Sequence, residues 1–158
     1  MDSLIIVLVV LLVVINLGII FREIGDQKKA IIHCKKAILI NPKLAIAYNA
    51  LGIMFIELGE KQKAINHFRK AVKYDHKNLY YLYQLTNLKE NILDLHLKKN
   101  IHKLIESKSL SKENLGYANL LLSKYKLKNN NHKKEFDYLI HNHNFFFESQ
   151  RKIFENSL

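Results

Sequence analysis

The side chains able to do chemistry in this 158-residue chain are one cysteine, eight histidines and fourteen carboxylates. A single thiol, Cys34, can form neither an internal disulfide nor a cysteine-based zinc site, so nothing points to an oxidising compartment. His141 and His143 are two apart, which turns them to different faces of a helix, whereas helix-borne zinc ligands stand three or four apart. No acid or further histidine completes a site at useful spacing. The carboxylates are dispersed, among them Glu57, Glu60, Asp94, Glu106, Glu113, Glu135 and Asp137. Each reads as solvating a helix face or favouring a helix start, and Glu57 with Lys61 as a surface pair at i and i+4. The expectation is a protein without catalytic residues, metal or cofactor.

The formal charge of +11 invites a nucleic-acid reading, but 22 of the 25 basic residues are lysine and only Arg22, Arg69 and Arg151 are arginine. Nucleic-acid sites lean on the planar fork of arginine, and here lysine is scattered from residue 28 to residue 152. Lysine, asparagine and isoleucine together are what an AT-rich genome encodes by default. No nucleic-acid partner is expected.

The elements that must carry these residues are helical. Five glycines and one proline are too few for the turns of an all-β fold. Gly18 and Gly52 stand at an offset of 34, as do Gly25 and Gly59. The same offset pairs Leu17 with Leu51, Phe21 with Phe55, Glu23 with Glu57, Ala30 with Ala64, Ile31 with Ile65 and Ala37 with Ala71. From 17 to 38, 12 of 22 positions match the residue 34 later, whereas over 11 to 16 none match. Tyr48, Leu51, Phe55 and Leu58 step by three and four along one helix face, and Ala64, Ile65, Phe68, Ala71 and Val72 do so along a second. Gly52 and Ala64 are small where two antiparallel helices would cross. Gly59 suits a left-handed helix end, and Asn41-Pro42 closes the preceding helix, with proline placed to open the next. Cys34 stands where the second copy has Phe68, and so reads as a small buried hydrophobe.

A 34-residue period with these small and large positions resembles the tetratricopeptide repeat. The pattern reads Tyr48, Leu51, Gly52, Phe55, Gly59, Ala64, Phe68 and Ala71 over 45–78, with His76 where proline is usual. Over 11–44 it reads Leu17, Gly18, Phe21, Gly25, Ala30, Cys34 and Ala37, with Pro42 kept. The resemblance implies an all-α, right-handed superhelical array of antiparallel helix pairs. Two repeats leave apolar faces uncovered, so more should follow. A degenerate unit is expected over 79–110, with Leu82, Leu85 and Leu88, then Leu97, Ile101, Leu104 and Ile105. Thr86 and Lys98 at its glycine and alanine positions suggest that the register slips. A last pair is expected over 111–158, opened by Ser111 as N-cap, with Leu115, Ala118, Leu122 and Tyr125, then Phe136, Leu139, Ile140, His143 and Phe147. That makes about eight helices.

The array resemblance also implies a function, a protein-interaction module holding a protein or peptide partner on its concave side. The lining positions carried over from it are Asn49, Ile53, Ile56, Tyr83 and Asn87, with Ile46, Glu57 and Glu90 beside them. Asparagine there would pin an extended peptide backbone, and the apolar residues would take its side chains. A second resemblance covers YLYQLTNLK from Tyr81, then IHKLIESKSLSKENLGYANLLLSKY and KKEFDYLIHNHNFFFES. These runs are similar to the region joining repeats to the catalytic domain in bacterial tetratricopeptide-sulfotransferase fusions. No glycine follows Gly116, so a phosphosulfate loop is missing and the resemblance implies an orphaned or truncated accessory module.

Residues 3–21, SLIIVLVVLLVVINLGIIF, hold 19 positions without a charge. Such a helix would be about 29 Å long, close to the hydrocarbon thickness of a bilayer. Asp2 and the lack of a small-x-small site argue against a cleaved signal peptide. Three readings stand: a membrane anchor running into the first repeat, a terminal helix buried against another subunit, or a damaged reading frame. If the segment spans, the positive-inside rule puts the lysines, and hence the repeats, on the cytoplasmic side.

Overall fold

A computed structural model of the protein describes residues 2–88, 92–107 and 110–128. Among the described residues there are seven helices and no strand: α1 (Asp2–Glu23), α2 (Gln27–Ile40), α3 (Ala45–Glu57), α4 (Lys61–Tyr74), α5 (Leu79–Leu88), α6 (Leu95–Glu106) and α7 (Lys112–Lys128). The all-helical expectation is met. The helix expected over Phe136, Leu139, Ile140, His143 and Phe147 lies outside the described residues, with His141, Glu135 and Asp137, and so does Glu90. The chain divides into two compact units, 1–88 and 89–158.

The first unit is a helical solenoid, in which α1 packs on α2, α3 on α4, α2 on α3 and α4 on α5. Its turns follow from residue type. Gly25 and Gly59 adopt φ of 82° and 75°, the left-handed region that costs a residue with a Cβ about 1–2 kcal/mol. Each ends its helix in the same two-bond turn: the Gly25 N–H donates to the Arg22 carbonyl at 3.0 Å and the Asp26 N–H to Phe21 at 2.8 Å. Gly59 and Glu60 repeat this on Ile56 and Phe55 at 2.9 and 2.8 Å. α2 is then capped by Asp26, whose carboxylate accepts from the Lys29 N–H at 3.1 Å and pairs with its ammonium at 2.9 Å.

Asn41 is extended, as the residue before proline must be, and its N–H closes α2 on Ala37. Pro42, however, sits in the turn and not in the first turn of α3, which begins only at Ala45. The Tyr48 hydroxyl donates to the Pro42 carbonyl at 3.1 Å and fastens that turn. In the next connection His76 replaces proline, and the Asp75 carboxylate does the fastening by accepting from the Asn78 N–H at 3.3 Å.

The core forms where small and large residues alternate. Ala30, Cys34 and Ala37 of α2 and Ala64, Phe68 and Ala71 of α4 are fully enclosed, as are Leu51 and Met54 of α3. α5 keeps the repeat register through its whole length. It starts one period after α3, and buried Leu79, Tyr81, Leu82, Leu85 and Thr86 match buried Ala45, Ala47, Tyr48, Leu51 and Gly52. Thr86 fits the glycine position because its hydroxyl turns back to donate to the Tyr83 carbonyl at 2.8 Å. Ala45, Tyr48, Ala71 and Tyr81 form the cluster in which α5 covers α4.

In the second unit α6 packs against α7. Asp94 caps α6, its carboxylate accepting from the Leu97 N–H at 2.7 Å, and the Ser111 hydroxyl accepts from the Asn114 N–H at 3.2 Å, as its N-cap role predicts. α6 begins one period after α4, yet its fully buried residue is Ile101, one position before the equivalent of Phe68. Lys98 stands at the alanine position and lies 4.9 Å from the centre of the Tyr125 ring.

Candidate functional site

The residues expected to line a groove lie on the first helices of the pairs. α3 is the most enclosed element, with Ala47, Tyr48, Ala50, Leu51, Met54 and Phe55 buried against its neighbours. Its remaining face stays open. Ile46 and Ile56 are 43% and 40% exposed, Ile53 is half-buried and Glu57 is exposed. Glu57, expected to pair with Lys61, instead accepts a hydrogen bond from the Gln27 side chain at 3.5 Å across to α2.

Asn49 departs from the picture of a free surface amide. It is buried, and its Oδ1 has neither solvent nor a hydrogen-bond partner. An unmade hydrogen bond on a buried amide costs about 1–3 kcal/mol. On α5, Tyr83 is half-buried and Asn87 exposed. In strict register Ile46, Asn49 and Ile53 correspond to Tyr80, Tyr83 and Asn87 on α5, and to Leu12, Ile15 and Ile19 on α1. Exposed Leu12, buried Ile15 and half-buried Ile19 repeat the pattern of the α3 residues.

The signature positions are structural. A Cβ on Gly52 would stand 2.7–2.8 Å from three ring atoms of Phe68, and one on Gly18 would stand 2.9 Å from the Cys34 Sγ. Leu17, Ala30 and Ala37 pack the first pair, and Leu51, Phe55, Ala64 and Ala71 the second. Burial pushes the Cys34 thiol up to about 11, so it is a core group and not a nucleophile at neutral pH. Among the described residues no three of His, Cys, Asp or Glu converge as metal ligands would.

One constellation escaped the pattern reading. His33 stacks on Phe21 with ring centres 5.2 Å apart, and Lys29 stands over the same phenylalanine ring at 5.3 Å. The second pair repeats it, His67 on Phe55 at 5.2 Å and Lys63 at 5.4 Å. Lys63 pairs with Glu60 as Lys29 pairs with Asp26. The recurrence of the histidines and lysines at the repeat offset was the available signal. Burial, then the charges of Lys70 and Lys35, hold the His67 imidazole below its ordinary value.

Comparison with known proteins agrees with this geometry. Residues 13–44 and residues 45–78 each match a family model described as the tetratricopeptide repeat. No curated protein matches the chain. Two helix pairs in 34-residue register, punctuated by Gly25 and Gly59 and matched by those models, make residues 13–78 two tetratricopeptide repeats.

Proposed function

We propose that the repeats hold an extended peptide or a protein segment along the open faces of α3 and α5, with no chemistry performed on it. The carrying observation is that α3, largely enclosed by its neighbours, leaves Ile46 and Ile56 exposed and Ile53 half-buried between them in a row. These isoleucines would take apolar side chains of the ligand. Asn49 sits within the row with an unpaired amide oxygen, and a peptide N–H reaching it after rotation of the side chain would supply the missing bond. Tyr83 and Asn87 continue the surface on α5.

The test is selection of peptides from a displayed library on the full chain, followed by retesting on Ile53→Asp, Ile56→Asp and Asn49→Ala. Affinity should fall at least about tenfold for the aspartate variants while helix content is kept. Equal affinity of all variants would overturn the groove. The accessory reading, in which residues 81–149 serve a separately encoded sulfotransferase, is tested by reading the DNA downstream of codon 158 for an Arg-Ser-Gly-Thr motif.

A further inference from the structure

The second helices of the two repeats carry charge of one sign. α2 holds four lysines, and α4 four lysines and one arginine, with no carboxylate on either. The acids nearest to them stand in the turns, and each is engaged. Asp26 pairs with Lys29, Glu60 with Lys63, and the Asp75 carboxylate accepts from the Asn78 N–H. The bases recur at the repeat offset, Lys29 with Lys63, Lys35 with Arg69 and Lys36 with Lys70.

Packing turns most of these bases to one side of each helix. Ala30, Cys34 and Ala37 of α2 are enclosed, Cys34 against Gly18 of α1, which is buried with Leu11 and Ile15. Lys28, Ile32, Lys35 and Leu39 step by four, three and four along the opposite face of α2, all exposed, with Lys36 beside them. Arg69, Lys70 and Lys73 hold the corresponding positions on α4 and are exposed too.

Both helices pack on α3, and their charges meet there. Lys70 stands 5.4 Å from the centre of the Tyr48 ring, and Lys63 5.4 Å from that of Phe55. His67 stacks on both of these α3 rings, and the charges of Lys70 and of Lys35, from the neighbouring helix, act on it. Lys35 and Lys70 thus act on one spot from two helices.

Like charges so placed repel one another and favour an anion between them. The surrounding residues say which anion. Nucleic-acid sites lean on arginine, here one base among lysines, and Tyr48 and Phe55, buried beneath His67 and the lysines, present no face on which bases could stack. Ile32 and Leu39, 50% and 82% exposed within the lysine stripe, suit a ligand that carries aliphatic groups among its negative ones. Carboxylate side chains interspersed with leucine-like ones meet both requirements.

We infer that the lysine face of α2 and α4 docks an acidic segment of a partner protein, its carboxylates on Lys35 and Lys70 and its aliphatic side chains on Ile32 and Leu39. This surface is separate from the peptide groove, which uses the open faces of α3 and α5, so either can fail without the other.

The test uses the full chain and a fluorescent twelve-residue peptide of repeated Glu-Glu-Leu. Its anisotropy should rise to saturation at low salt, and its affinity should fall as salt is raised. Lys35→Glu with Lys70→Glu, exposed positions whose change leaves helix content intact, should weaken the peptide at least about tenfold. Leu39→Ser should weaken it about threefold with every charge kept. Lys103→Glu with Lys112→Glu makes the same charge change at exposed positions of the other unit and should have little effect. Equal losses from the two pairs would mean attraction to net charge alone and overturn the inference. Bound carboxylates beside Lys35 and Lys70 should also raise the His67 midpoint toward its ordinary value in a proton NMR titration, with His67→Gln identifying the resonance. A midpoint unmoved by saturating peptide would overturn the placement, as would absence of binding. So would tighter binding of a twelve-nucleotide single-stranded DNA or of phosphatidylglycerol vesicles, which would give the face to phosphates.

Discussion

His67 lies flat on Phe55, ring centres 5.2 Å apart and planes 14° from parallel, and this stack ties the second helix of a repeat to the first. Its counterpart, His33 on Phe21, has the same separation at 23°. The stack thus recurs at the repeat offset although Cys34 and Phe68, the core residues beside it, differ greatly in volume. A glycine at each crossing, Gly18 or Gly52, leaves room for either.

The half-buried imidazole of His67, held below its ordinary value by desolvation, makes the second repeat sensitive to acid. Above the ordinary value of 6.5 the folded and unfolded chains both hold a neutral ring and stability is complete; as pH falls below it the unfolded chain takes up a proton first, and stability is lost until the folded ring titrates too. Melting temperature measured from about pH 7 to about pH 5 should decline, and His67→Gln should flatten that decline. An identical slope in the variant would remove the histidine from the effect.

Gly52→Ala and Gly18→Ala should behave differently. The Phe68 ring against Gly52 is wholly buried and cannot retreat, so Gly52→Ala should destabilise by about 1–3 kcal/mol despite alanine's better helix propensity. At Gly18 the obstacle is one sulfur atom. Cys34→Ala removes it, and the pair Gly18→Ala with Cys34→Ala should show a favourable coupling of about 1 kcal/mol in a urea-denaturation cycle. Additive effects would mean that the methyl and the sulfur do not meet.

Cys34 should report the opening of the first repeat. With its thiol raised to about 11 from 9.0, roughly a hundredth of it is thiolate at pH 9, against about half for a free thiol. Alkylation by iodoacetamide should be slow in native protein and fast in denaturant. The linkage has a fixed sign: the contribution is complete below 9.0 and is lost as pH rises through about 11. Rapid native alkylation at neutral pH would contradict the burial.

Asn49 separates binding from stability. Removing its unpartnered buried oxygen in Asn49→Leu should leave stability unchanged or raise it by up to about 2 kcal/mol, while weakening any peptide selected on the native chain. A large loss of stability would assign the amide a structural role.

The 34-residue period, the helix end at Gly59, the cap at Ser111 and the burial of Cys34 follow from local chemistry, and they were legible in the chain itself. A left-handed turn or an N-cap depends on a few adjacent residues, and a face repeating at three and four depends on one helix. Other features depended on which helix faces meet. Thr86 looked unfit for a glycine position until its hydroxyl was seen turned onto the Tyr83 carbonyl, and Pro42 proved to belong to a turn held by Tyr48. Whether Asn49 faces solvent, and whether the apolar start can cross a bilayer, are set by neighbours distant in sequence. The packing of Ala30 and Cys34 on Gly18 is a consequence of two helices meeting, and hydropathy along one helix contains no trace of it. Composition determined that α1 is apolar; the fold decided that half of its length is already occupied.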